Sequence, residues 1–270
     1  MTNFNTQNAN HDPVDEAEKL SSKEIFEVIR RDGHEELARP YASLFWSGIA
    51  AGLMISLSVL GEAIFRTYLP DAPWRYLVEN LGYSLGFLVV ILGRMQLFTE
   101  NTITTVLPVM HDPVWPMFRR MLSLWMIVLG ANVIGAILAA AAFAFGNFIP
   151  DAMIAAIAQL SAHATGFDPE VAFQRAIPAG ILVAAIVWML PGSDGFGFFV
   201  ILTFTWLIAA GDFTHIVAGS VEMAFMLLTG ELSIVSALTD FFLPVLAGNV
   251  LGGTAIFALL AFGQVRKELN

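Results

Sequence analysis

Two ten-residue stretches decide how this sequence folds: GRMQLFTENT at residues 93–102 and GDFTHIVAGS at residues 211–220. Each interrupts an apolar run long enough to cross a bilayer, which takes about 20 residues of helix. Each brings charge, hydroxyl, amide or imidazole groups into the middle of that run. Broken backbone at membrane depth is tolerated only where protein or a water-lined cavity meets the freed N–H and C=O groups. The pattern therefore predicts helices that stop and restart around an internal path, with the two breaks facing it.

The rest of the chain supplies the frame. Of 270 residues 57% are apolar and 13% charged, against about 25% charged in a soluble domain, so most of the surface is expected to face lipid. Six spans are predicted, at about 42–68, from near 78 with a break around 97–102, 117–146, 170–191, 196–228 with a break near 212–219, and 233–264. Before them, residues 1–22 read as a solvated tail. Residues 23–38 read as a short amphipathic helix capped by Ser21 or Ser22, with Ile25, Phe26 and Ile29 on one face. The expected organisation is a tail over 1–40, a membrane domain over 41–266 and a short tail over 267–270. Nine Lys and Arg flank the spans on the side of the termini and two, Arg66 and Arg75, on the other. That bias predicts both termini in the cytoplasm.

A weak internal repeat links the halves. Gly130-Ala-Asn132-Val-Ile-Gly135 in the third span resembles Gly248-Asn249-Val-Leu-Gly252 in the sixth, and the asparagines lie 117 residues apart. Phe98-Thr99 and Phe213-Thr214 lie at nearly the same interval. The expected fold is all-α, six transmembrane helices in an inverted repeat of 3+3 spans, with helices 2 and 5 interrupted.

Ionisable groups inside the membrane need a reason to be there. Glu62 and Arg175 lie near enough to span ends to reach headgroups. Arg94 and Glu100, six residues apart at the first break, read either as a buried pair that stabilises the loop or as groups of the permeation path. His215 is the histidine set deepest within a span, and its imidazole titrates near neutrality, so it suits sharing a proton with a weak-acid anion. A bare anion in an apolar constriction pays heavily for lost hydration, and a proton removes most of that cost. Tyr83 and Phe87 are four apart, hence on one helix face. No phosphate-binding loop, dinucleotide fingerprint, metalloprotease helix or basic stripe for nucleic acid is present. Without cysteine there is no disulfide or thiolate metal site. No enzyme activity, metal or cofactor is expected.

These residues together resemble the formate/nitrite transporter family over about residues 40–266. The resemblance rests on Tyr83-Ser-Leu-Gly-Phe87, Leu97-Phe98-Thr99, Trp125 to Gly135, Arg175, Val187-Trp188-Met189, Gly211 to His215, and Pro244 to Gly253. It implies a homopentamer of aquaporin-like protomers in a bacterial inner membrane, each with its own pore for a small monovalent anion or its protonated acid, such as formate, nitrite or hydrosulfide. It further implies that Tyr83, Phe87 and Leu207 form the pore constriction, and that Leu97, Phe98, Thr99 and Glu100 form the loop interrupting helix 2. His215 is implied as the central pore histidine and Asn249 as the polar residue near it; Arg94 is a further pore-adjacent candidate on the strength of its own charge.

The sequence also departs from the family. The lysine usual before span 4 is absent from Ala164–Glu170, where Asp168 and Glu170 stand instead. Gly180 replaces a usual asparagine, and Arg94 and Glu100 flank the loop where small or polar residues are usual. Two other functions therefore stay open: the same fold conducting a neutral solute or cation, and a membrane sensor or scaffold that transports nothing.

Overall fold

A computed structural model describes residues 20–269, and among these every regular element is helical. The first 19 residues of the expected tail, and Asn270 of the C-terminal tail, lie outside the described residues. Helix α1 (Ser22–Ala38) opens with a capping box: the Ser21 hydroxyl accepts from the Glu24 N–H while the Glu24 carboxylate accepts from the Ser21 N–H. The two serine donations hold the Glu24 carboxyl below its ordinary range. The predicted apolar face is real and docks on the helices that follow, with Phe26, Ile29, Gly33 and Leu37 buried. A side chain at Gly33 would collide with the Thr104 carbonyl oxygen and with Pro108.

The remaining helices are α2 (Tyr41–Met54), α3 (Ser56–Tyr68), α4 (Arg75–Glu79), α5 (Ser84–Leu92), α6 (Phe98–Thr104) and α7 (Val106–His111). They continue with α8 (Trp115–Phe145), α9 (Asp151–Thr165), α10 (Pro169–Met189), α11 (Gly197–Ala210), α12 (Ile216–Leu228) and α13 (Ile234–Val265). Five stretches are long and apolar enough to cross a membrane: Tyr41–Tyr68, Arg75–Leu92, Trp115–Phe145, Pro169–Gly192 and Ile234–Val265. The pair α11 and α12 is apolar but divided. Met126, 76% exposed, with Trp46, Trp115 and Leu260 gives the outside an apolar coat. Such a coat belongs against lipid or another subunit.

Three features depart from the sequence reading. Helix α9 has no counterpart among the predicted elements: its apolar positions are mostly alanine, which raises hydropathy too little to stand out, yet it packs against α3 and α12 and buries Ile157 and Leu160. The first span is two helices meeting at Ile55, where the Ser56 hydroxyl returns to the Leu53 carbonyl at 2.6 Å. Helix α13 contains two wide, π-type stretches, Ala237–Phe242 and Leu251–Ala258. Such widened turns recur at functional sites. The second of them brings Thr254 onto the Thr102 carbonyl at 2.7 Å.

The tightest packing is between α2 and α8 and between α10 and α13. A Cβ at Gly52 would overlap the Asn132 carbonyl, and a Cβ at Gly180 would overlap the Asn249 carbonyl. Glycine at 180, where the family usually has asparagine, thus has a packing reason: it lets the helix carrying Asn249 close onto α10.

Candidate functional site

Both breaks are built the same way. After α5 the chain turns at Gly93-Arg94, and after α11 at Gly211-Asp212. Arg94 and Asp212 both adopt left-handed backbone, φ 51° and 58°. The Met95 N–H bonds back to the Val90 carbonyl at 3.0 Å and the Phe213 N–H to the Ile208 carbonyl at 2.9 Å. Arg94 and Asp212 make the accompanying shorter bonds to Ile91 and Ala209. This is the Schellman helix end, with a charged residue in the position glycine usually takes.

The restart is also the same. Asn132 Oδ1 accepts from the Phe98 N–H at 2.9 Å, and its Nδ2 donates to the Gly48 and Gln96 carbonyls, each at 2.8 Å. Asn249 Oδ1 accepts from the Ile216 N–H at 2.8 Å, and its Nδ2 donates to Ala176 at 2.8 Å and Thr214 at 3.0 Å. Each asparagine therefore satisfies a carbonyl just before the restart and the first N–H of the new helix, groups that lipid would leave unpaired. Asn249, expected as a polar neighbour of the path, is a clamp on the second break. Asn132 has the same role, which the sequence pattern alone does not assign.

The register is a correction. The breaks are residues 93–97 and 211–215, so Leu97 matches His215 and Met95-Gln96 matches Phe213-Thr214; the sequence pairing of Phe98-Thr99 with Phe213-Thr214 is three residues out. Of the four residues expected in the first loop, only Leu97 is outside a helix; Phe98, Thr99 and Glu100 form the first turn of α6. Polarity misleads at this point, because a Thr-Glu-Asn-Thr run reads as loop while serving as a buried first turn.

His215 caps α12 and is 2% exposed. Its Nδ1 accepts the Ala218 N–H at 3.3 Å, and its Nε2 lies 2.8 Å from Thr99 Oγ1. Because Nδ1 is an acceptor, the neutral ring carries its hydrogen on Nε2 and donates it to the threonine. The Thr99 hydroxyl then keeps its own hydrogen for a third partner. Phe87 stands edge-on to the imidazole at 5.0 Å, and Tyr83 stacks beyond it at 5.2 Å. Leu207 does not join them: it is 40% exposed on α11, and its neighbour Ile208 takes the buried position.

A cavity opens on each side of this contact. The one nearer α4, about 80 Å³, is lined by Tyr83, Thr214 and His215 and by Glu62 and Glu222. The one under α1, about 380 Å³, is lined by Leu97, Arg94 and Glu100 and by Asp32 and Glu36 of α1. Arg94 and Glu100 share that cavity without forming an ion pair; Arg94 is exposed, turned outward by its backbone. Gln96 links the break to α1 through a 2.7 Å bond to Glu36, and partial burial pushes the nearby Asp32 carboxyl up from its ordinary value. Arg175 does not reach for headgroups. It donates to the Asp212 carboxylate and carbonyl, while His163 contacts the same carboxylate at 2.8 Å. Glu62 is likewise internal, 5% exposed.

A family model described as formate/nitrite transporter matches residues 23–263. The chain belongs to the formate/nitrite transporter family. Members of this family are multi-pass membrane transporters rather than enzymes, consistent with the five long apolar helices of this chain. Among its relatives, the inner membrane protein YfdC of Escherichia coli is 43% identical over 246 residues, covering 91% of this chain and 79% of that one. The formate channel FocA of Haemophilus influenzae is 28% identical over 88% of this chain and 94% of its own. Among solved structures, an FNT family ion channel aligns with a TM-score of 0.78 at 19% identity, over 89% of this chain and 98% of that one. A pentameric formate channel with formate bound aligns at 0.73 and 21% identity, over 84% and 98%. These structural likenesses concern the arrangement of the helices and carry the fold alone.

Proposed function

We propose that this chain is a channel for a small monovalent anion or its protonated acid, in the class of formate, nitrite and hydrosulfide, with His215 sharing its hydrogen through Thr99. The observation that carries this reading is the 2.8 Å contact between His215 Nε2 and Thr99 Oγ1, which joins the two breaks between two cavities. A solute passing there meets a hydroxyl donor backed by an imidazole donor, with Phe87 excluding water beside it. Fixed donors in a dry constriction favour an acceptor-rich solute.

The reading extends to architecture. The paired breaks and their two asparagine clamps support six passages in a 3+3 inverted repeat, α11 and α12 together making the fifth. The basic residues near α1, the α7–α8 turn and the C-terminus support cytoplasmic termini. Relatives named as an inner membrane protein and as a pentameric channel support a bacterial inner-membrane homopentamer. In that orientation the cavity under α1 is the inner vestibule and the one beside α4 the outer.

Uptake of formate, nitrite, hydrosulfide and acetate into proteoliposomes at two pH values tests the reading. Weak-acid flux that grows toward low pH in the wild type and falls sharply at both pH values in His215→Phe is the expected result; unchanged flux in that variant removes the role of His215. A cation or neutral-solute channel is the second reading, favoured by the acidic lining of the outer cavity and by the absence of lysine at 164–170. Glycerol or ammonium flux without anion flux would select it.

A further inference from the structure

We propose that Glu62 and Glu222 form a proton-donor site for the entering anion, which rests on the weak-acid reading above and names where its proton comes from. The need for such a site follows from His215. Its Nδ1 is committed to the Ala218 N–H and its Nε2–H to Thr99. A neutral imidazole held this way is a hydrogen-bond donor; releasing its only N–H hydrogen would leave an imidazolate. Loading a second proton means breaking the cap of α12. The proton that neutralises the solute therefore has to be held elsewhere along the path.

The outer cavity holds the acids that fit. Glu62 on α3 is 5% exposed and Glu222 on α12 is 7% exposed, and both line it beside Tyr83 and His215. Among the described residues neither carboxyl has a hydrogen-bond or ion-pair partner, and neither does the Tyr83 hydroxyl. The other charged groups around the cavity are already matched. From α3, Arg66 binds Glu79 of α4 at 2.6 Å, and Arg75 of α4 lies 3.2 Å from Asp71 and 3.5 Å from Glu79. From α10, Arg175 holds Asp212, which also takes His163 of α9. Tyr76 donates to the Ala210 carbonyl at 3.3 Å. Among the described residues lining this cavity, no cation is left over for Glu62 and Glu222. Two buried carboxylates sharing one small space without donors is a costly arrangement, and a proton on each removes it.

The step balances without any co-reactant. A weak-acid anion A⁻ entering the outer cavity takes the proton from a glutamic acid O–H: that O–H bond breaks, an A–H bond forms, and a glutamate carboxylate remains. The neutral acid passes Phe87 and the Thr99 hydroxyl, ionises in the inner vestibule and releases the proton to water there. The glutamate is reloaded by a proton from the outer solution. One proton thus travels with each anion, and anions of strong acids, which cannot hold the proton, are refused. This also accounts for a vestibule without lysine: the anion is drawn by neutral O–H donors instead of a fixed positive charge.

The test combines infrared spectroscopy of the purified protein with formate uptake into proteoliposomes carrying an internal pH dye. In the wild type, a buried carboxylic-acid C=O band at neutral pH is expected, lost in E62Q/E222Q, together with one proton per formate and no nitrate flux. E62Q/E222Q, checked for its assembled state by size exclusion, is expected to lose about tenfold or more of formate uptake at neutral pH, with a smaller deficit at acid pH, where formic acid arrives already protonated. Single E62Q and E222Q variants and the wild-type titration decide the matter if the double variant does not assemble. A wild-type spectrum with both groups ionised at neutral pH, nitrate conducted as well as nitrite, or formate uptake unchanged in the variants overturns the proton-donor site and leaves the anion channel standing. A wild type that conducts no weak acid overturns both.

Discussion

The two breaks share a backbone and differ in chemistry. Residues 93–97 and 211–215 begin with the same Schellman turn, pass through the same left-handed residue and restart on the same asparagine clamp. At the residue before the restart one presents Leu97 and the other His215; at the left-handed position one has an exposed Arg94 and the other an Asp212 tied to Arg175 and His163. The duplicated part is what the membrane demands of any interrupted helix, namely partners for freed backbone groups. The part that differs is where a solute can be told from water. The first break supplies Thr99, one residue into α6, and the second supplies the imidazole, so the central contact exists only across the two halves.

The clamps are the first place to break that equivalence, with the largest expected effect. Asn132→Ala and Asn249→Ala each remove three buried hydrogen bonds and strand the first N–H of the restarting helix and the carbonyl just before it. The cost is about 2–4 kcal/mol apiece, with the lower end set by the small worth of single side-chain bonds in membranes. Thermal unfolding in detergent should show similar losses for the two. A difference larger than about 1 kcal/mol would mean that the breaks are not structural equals.

Swapping the residue before the restart sharpens the contrast in function. His215→Leu makes the second break resemble the first. It is expected to lower weak-acid uptake by about ten- to a hundredfold at every pH, at about 1 kcal/mol in lost capping. Leu97→His in the same background places an imidazole on the inner side of the constriction, away from the Thr99 contact, and should not restore uptake. Recovery of uptake by this second change would show that an imidazole serves equally well on either break, and the contact across the halves would lose its role.

How much of this was legible in the sequence follows the same division. Hydropathy marked the spans, and the polar interruptions marked both breaks, because an ionisable residue in an apolar run is conspicuous. The register was not legible. Phe-Thr occurs in both segments by coincidence, whereas the true match, Arg94 with Asp212 and Leu97 with His215, joins residues of unlike chemistry that share only φ and hydrogen bonding. Asn132 and Asn249 were visible as a repeat, but their function depends on which backbone groups lie opposite, which no local pattern encodes. Helix α9 hides behind its alanines, and the family resemblance points to Leu207, whereas α11 turns Ile208 inward.

A third, smaller effect tests how the second break is braced. Arg175→Ala removes the donor to both the carboxylate and the carbonyl of Asp212, leaving a strained residue held by His163 alone. A loss of about 1–2 kcal/mol is expected, with a faster fall in uptake on warming than for the wild type. Among the described residues the first break has no such brace, so Arg94→Ala, which exchanges one non-glycine residue for another in left-handed backbone, should be close to neutral.

The smallest effect gives the sharpest contrast, because its sign is expected to change between the breaks. A non-glycine residue in left-handed backbone costs about 1 kcal/mol, and glycine relieves it while adding freedom to the unfolded chain. At position 94 the native side chain makes no ion pair among the described residues, so Arg94→Gly should stabilise by about 0.5 kcal/mol. At position 212 the same relief is set against the loss of the carboxylate's contacts with Arg175 and His163, so Asp212→Gly should destabilise by about 1 kcal/mol. Melting temperatures of the two variants, read side by side in one detergent, measure this directly. Stabilisation at both positions would mean the Arg175–Asp212 pair adds nothing to the fold. Destabilisation at both would assign the Arg94 side chain a structural contact that its open position under α1 does not provide.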